Sequence, residues 1–263
     1  MGDPIVDSWM SLVALAVLLG VGIVALIEGG RQLALRRMRR EPGAPQSGGS
    51  AVDSAVFALF GLLIAFTFSG AGSRFDARRA LVAEEANSIG TAWLRLDLLP
   101  PAAQPGLRTL FRKYLDSRLE TYRKLPDIAA ADQELARSAE LQSQIWTQAV
   151  SAAGESSTTT AGMLLLPALN EMIDITTTRV MATRMHPPLV VFLMLGALAL
   201  MSALLAGHGM ASAGPRSWVH VLGFAIIIAT TVYVIVDMEY PRFGMIRVDA
   251  ADQVLMDLRQ SMN

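Results

Sequence analysis

Three histidines, two adjacent glutamates and an acidic turn that ends in proline and glycine are the groups in this sequence that could do chemistry, and cysteine is absent. The missing cysteines remove disulfides, thiolate nucleophiles and thiolate metal sites together. His186, His208 and His220 stand at or near the ends of apolar runs, none paired with another at ligand spacing, so no metal site is expected. Glu84 and Glu85 are neighbours on a helical stretch; they point in different directions and make a poor acid–base pair. "GESSTTT" lacks the lysine of a phosphate-binding loop and reads as a linker. With no nucleophile set beside a base, the chain is not expected to be an enzyme, and nothing in it calls for a cofactor. Two polar constellations remain. Arg78, Glu85, Asn87 and Arg95 recur along one predicted helix, either as a solvated or salt-bridged face or as a site. "VDMEYPRFG", residues 236–244, leaves a long apolar run through Asp237 and Glu239 and then turns.

The elements that must hold these groups are mostly apolar. With 263 residues, 52% hydrophobic and 17% charged, the chain is greasier than a soluble domain of its size. A net charge of −1 gives no electrostatic footprint for nucleic acid. A helix crossing the hydrocarbon core needs about 20 mostly apolar residues, and four stretches supply them. They lie at about 9–29, 52–72, 187–207 and 217–237. The first lacks a basic leader and is too long for a signal peptide, so it reads as a retained span.

In the second stretch small residues recur on one face, at Ser54, Ala58, Gly61, Ala65 and Ser69, which lets another helix backbone approach closely. Phe57, Phe60, Ile64 and Phe68 share another face. They either meet lipid or form a hydrophobic constriction that gates a pore by dewetting. No charge falls in the middle of any span, which weighs against a proton-coupled transporter and leaves room for a passive pore.

Residues 73–186 change character. Val82, Ala86, Ile89, Trp93 and Leu96 make an amphipathic helical stripe, stopped by the prolines at 100 and 101. The next helix places Leu107, Phe111, Tyr114, Leu115, Leu119 and Tyr122 on one side, with Arg112–Asp116 and Glu120–Lys124 as i,i+4 pairs on its wet face. Two more helices follow, the last using Leu165, Leu169, Met172, Thr176 and Val180. The reading is an all-α membrane protein. Its parts are an N-terminal transmembrane hairpin (1–72), an extramembrane insert of about four helices (73–186), a second hairpin (187–238), and a C-terminal turn with a short amphipathic helix (239–263). That last helix lies against either the insert or the membrane surface. The first and fourth insert helices either stand alone or continue the flanking spans.

Arginines near span ends set orientation. Arg31, Arg36, Arg37, Arg39 and Arg40 crowd the first loop, which argues for a cytoplasmic first loop and an extracytoplasmic insert in the cell inner membrane.

The order of "RFDARRALVAEEANSIGTAWLRLDLLP", "LNEMIDITTTR", two apolar spans, and then a motif carried by Asp237, Pro241, Gly244 and Arg247 resembles the bacterial bestrophin-like membrane proteins. The resemblance runs from about residue 50 to near the end of the chain. It implies four spans around a helical insert. Through the family's name it points to bestrophins, pentameric anion channels whose two hairpins flank a helical cytosolic region, which would put the insert on the other side. The chain departs from true bestrophins in lacking their proline-containing aromatic neck sequence in the second span and an acidic calcium-clasp cluster. Two functions are expected from this. One is an oligomeric ion channel or pore, with the lipid bilayer, further copies of itself and small inorganic ions as partners. The alternative is a membrane sensor or scaffold whose insert binds a ligand or a protein.

Overall fold

The computed structural model describes residues 9–41, 50–125, 127–155, 159–211, 216–242 and 244–262. Eight α-helices occupy them: α1 (Trp9–Arg40), α2 (Ser50–Arg95), α3 (Gln104–Arg123), α4 (Ile128–Glu155), α5 (Thr159–Arg184), α6 (Leu189–Met210), α7 (Trp218–Glu239) and α8 (Gln253–Ser261). Among the described residues there is no β-strand. Four helical segments are long and apolar enough to cross a membrane, and they contain the four apolar stretches read from the sequence. The chain is an all-α membrane protein.

Two helices run well beyond those stretches. α1 carries its helix on through the arginine-rich segment, and α2 is one helix from Ser50 through the amphipathic stripe to Arg95. Glycines at 70 and 72 do not break it, because a solitary glycine lowers helix propensity by only about 1 kcal/mol. Between α5 and α6 the helix does stop, at Met185–Pro188, where consecutive prolines remove the N–H donors that would continue it.

The chain divides into two compact units, Phe75–Met185 with Arg247–Asn263, and Asp3–Arg74 with His186–Ile246. In the second unit α1 packs along α6 and α7. The α1–α6 crossing depends on two glycines: a Cβ on Gly30 would overlap the Leu204 carbonyl, and one on Gly207 would overlap the Ile27 carbonyl. Helices in lipid gain their association from such close contact, since lipid gives no hydrophobic drive between them.

In the first unit the predicted stripes become core. Val82, Ala86, Ile89, Trp93 and Leu96 of the α2 stretch and the following turn meet Leu107, Phe111, Tyr114 and Leu115 of α3, and Leu165, Leu169 and Met172 of α5. Trp93 sets its ring edge-on to Phe111, with centroids 6.0 Å apart. α8 buries Leu255 in the same core, so it lies against the insert. Its end is held by Arg112, whose Nε donates to the Met262 carbonyl at 2.7 Å, and by Arg259, which pairs with Asp116. The expected Arg112–Asp116 pair is therefore replaced by contacts to α8. Lys124 pairs with Glu134 of α4 while Glu120 takes Arg123, so the expected Glu120–Lys124 pair is replaced too. For Arg112, Asp116 and Lys124, partners from a neighbouring segment displace the local ones because packing has already fixed them in reach, while Glu120 takes a cation one turn on in its own helix.

Candidate functional site

The apolar half of α2 is nearly bare. Ser54, Ala58, Gly61, Ala65 and Ser69 are all exposed, so the small-residue face is not buried by the described helices. The four bulky residues expected to act together are split. Phe60 is 4% exposed and packs with Leu12, Leu195, Ala199 and Ile235, with Ile64 against the same cluster. A side chain covered that far by its own chain has no surface left for a pore axis, so the four do not present one common face. Phe57 is half-buried and Phe68 is exposed. Also uncovered are the bulky side chains of Leu59, Leu62 and Phe66, a separate face at helical spacing that the sequence reading did not single out.

The insert polar residues also separate. Arg78 is buried and caps the end of α5, donating to the carbonyls of Ala182 (3.1 Å) and Met185 (3.0 Å). Arg95 donates to the Leu164 carbonyl at 2.6 Å, and Asn87 is exposed. Only Glu85 sits at a centre of charge. It is fully buried and accepts from Arg118 Nε at 2.5 Å and from Arg179. Arg179 reaches on to Asp252 at 3.0 Å, and its guanidinium lies 3.8 Å from the centre of the Tyr122 ring. Arg118 also donates to the Tyr122 hydroxyl at 2.5 Å. Four segments, α2, α3, α5 and the turn before α8, thus meet through two carboxylates and two guanidinium groups. Burial opposes ionisation of Glu85, but the charges of Arg118 and Arg179 outweigh it and hold the carboxyl below its usual value. Beside it, burial pushes the Tyr114 phenol up; its hydroxyl lies 2.9 Å from Thr176 Oγ1 and 3.1 Å from Gln142. Charges this deep persist only when paired, and these are.

The C-terminal motif is a folded turn. Asp237 is fully buried, and its Oδ2 accepts the backbone N–H groups of Met245 (3.1 Å) and Ile246 (3.0 Å). Gly244 is required by contact: a Cβ there would overlap Asp237 Oδ1. Pro241 is buried within the turn and Arg247 is exposed. Glu239, also fully buried, accepts Arg74 Nε at 2.8 and 3.1 Å. His186 places Nδ1 3.8 Å from the same carboxylate and stacks on Tyr240 at 4.4 Å. The two acids that sequence reasoning placed at the exit from hydrocarbon thus serve as a turn cap and an ion-pair anchor.

Neither the charge cluster around Glu85 nor the turn around Asp237 sets a nucleophile beside a base. Among the described residues no group of three His, Asp or Glu side chains is placed to hold a metal. His208 and His220 are exposed, His220 with Nδ1 2.7 Å from Ser217 Oγ.

A profile of the bestrophin-like domain matches residues 34–252. Among curated proteins nothing matches. Among solved structures, a point variant of a bacterial bestrophin homolog from Klebsiella pneumoniae is 14% identical, with a TM-score of 0.68, over 96% of this chain and 97% of that one. Another variant of that homolog is 15% identical, with a TM-score of 0.62, over 95% and 98% of the two chains. At such identity these likenesses establish the shared fold, while the domain match covers most of the sequence. The chain belongs to the bestrophin-like family of integral membrane proteins.

Proposed function

We propose that this protein works as a homo-oligomeric pore for small inorganic ions, with the apolar half of α2 around the axis. The observation that carries the reading is how little of α2 its own chain covers. Only 6% of its most apolar window is buried, against 17%, 22% and 28% in the other three candidate spans. The row from Ser54 to Ser69 offers a surface on which helices of neighbouring copies pack. Next to it, Leu59, Leu62 and Phe66 supply the hydrophobic narrowing, while Phe57 and Phe68 lie on the other side of that row, toward the face that Phe60 turns to its own chain. Between Asp53 and Arg74 the sequence has no ionisable residue, which suits a passive pathway and not a proton relay.

Five arginines between Arg31 and Arg40 support a cytoplasmic first loop and hence an insert on the far side of the cell inner membrane. The test of function is the purified full chain in planar bilayers under several salts. Unitary current steps are expected. Silence from protein that imaging shows to be a ring would overturn the pore and leave the insert as the functional surface.

A further inference from the structure

A groove of about 700 Å³ runs between α1 and α7, bounded by Val13, Gly20 and Ala25 on one side and Leu222, Ala229 and Tyr233 on the other. Gly20, Ala25 and Ala229 hollow it out where larger side chains would close it. From Val13 to Ala25 it follows about 18 Å of α1. That is well short of the roughly 30 Å of hydrocarbon that a neighbouring transmembrane helix must follow. At one end Met245, in the turn folded onto Asp237, lines the groove beside Tyr233.

The other end opens into charge. Glu28 is one turn beyond Ala25 and pairs with Arg216, whose guanidinium lies 4.5 Å from the Trp218 ring centre; Trp218 is one turn before Leu222. Arg31 adds a second cation on the next turn of α1, so two arginines and one glutamate leave the mouth positive. A groove that is apolar inside and rimmed by arginine and tryptophan at one end matches an amphiphile with an anionic head.

We propose that the α1–α7 groove seats one acyl chain of a phospholipid whose anionic headgroup rests on Arg31, Arg216 and Trp218. The site rests on the chain being in a membrane and is independent of whether the assembly conducts.

The test is native mass spectrometry of the full chain, delipidated in mild detergent and titrated with phosphatidylglycerol or phosphatidylcholine. Wild type is expected to take up phosphatidylglycerol preferentially. Val17→Trp and Ile226→Trp fill the groove from positions 59% and 63% exposed, where a larger side chain leaves the packed core alone. Each should abolish retention with an unchanged melting transition; if one unfolds, the other carries the comparison. Arg31→Gln and Arg216→Gln should each weaken phosphatidylglycerol about fivefold and leave phosphatidylcholine unchanged. Wild-type lipid retention by a folded Trp variant would overturn the site. So would loss of the oligomer with retention unchanged, which would make the groove the seat of a second copy.

Discussion

Removing the carboxylate of Glu85 should be among the most damaging single changes in the insert. The side chain is fully buried and is the only carboxylate within hydrogen-bonding reach of Arg118 among the described residues; Arg118 is itself fully buried. In Glu85→Ala, Arg179 keeps Asp252 at 3.0 Å, but Arg118 is left with the Tyr122 hydroxyl and no anion. Breaking a buried pair by deleting one partner costs about 3–5 kcal/mol, most of it the uncompensated charge left behind. For a chain of this size that is about 6–20 °C in the melting temperature. Glu85→Gln, which keeps hydrogen-bonding capacity, should lose less. Replacing the buried pair together, as Glu85→Leu with Arg118→Met, should recover much of the loss, because apolar groups of similar volume need no partner and Arg179 keeps Asp252. The assay is thermal unfolding of the detergent-purified full chain, followed by far-UV circular dichroism and by proteolysis within residues 75–185. A Glu85→Ala melting point within about 2 °C of wild type would refute the reasoning, since it would mean under 1 kcal/mol. So would a double variant no better than the single one.

The same carboxylate gives a pH prediction. Its value is held below the ordinary 4.5, so its contribution is complete above that pH and disappears as the pH falls through the lowered folded value. The wild-type melting point should hold between pH 7 and 5 and fall steeply below pH 4.5, while Glu85→Gln should be much less sensitive there; parallel curves would argue against it. Gly244→Ala forces a methyl into Asp237 Oδ1 and should cost about 1–3 kcal/mol, read as a lower melting point. An unchanged value would mean the turn is looser than its contacts imply. Gly207→Ala drives a Cβ into the Ile27 carbonyl and should lower the yield of monodisperse protein, with the conservative Gly209→Ala, which meets open space, as the control that stays normal. Phe66→Ser should raise leak current with little change in stability, whereas Phe60→Ala should cost about 3–5 kcal/mol of stability. The reverse pattern would exchange the pore-facing and core-facing sides of α2.

The insert was legible in the sequence because its helices are amphipathic. A stripe such as Val82, Ala86, Ile89, Trp93 has one apolar side, and that side became core. Spans were legible by length alone, but their orientation about their own axes was not. The first half of α2 is apolar all round, so no pattern distinguishes Phe60, which faces its own chain, from Phe66, which faces outward. Choosing among those faces takes the positions of α1, α6 and α7, which no local pattern contains.

The buried charges are a different case, because their signal was present along the sequence. Glu85 stands three residues after Val82 and four before Ile89, on the apolar stripe itself. Arg118 follows Tyr114 by four residues and Leu115 by three; Arg179 follows Thr176 by three and Met172 by seven. Each charge therefore occupies the face its helix buries. An ion on an apolar face must find an opposite ion on the facing helix or cost several kcal/mol. One acid and two bases so placed on three different helices constrain one another. They imply that α2, α3 and α5 come together at a single level before any coordinates are known. What they leave open is the fourth member. Asp252 stands in a short turn with no stripe of its own, and only the docking of Leu255 beside it brings its carboxylate to Arg179. The insert and the C-terminal segment are thus joined by an apolar contact with an ion pair set next to it. Loss of either should loosen the start of α8, while Arg112 and Arg259 still hold its far end.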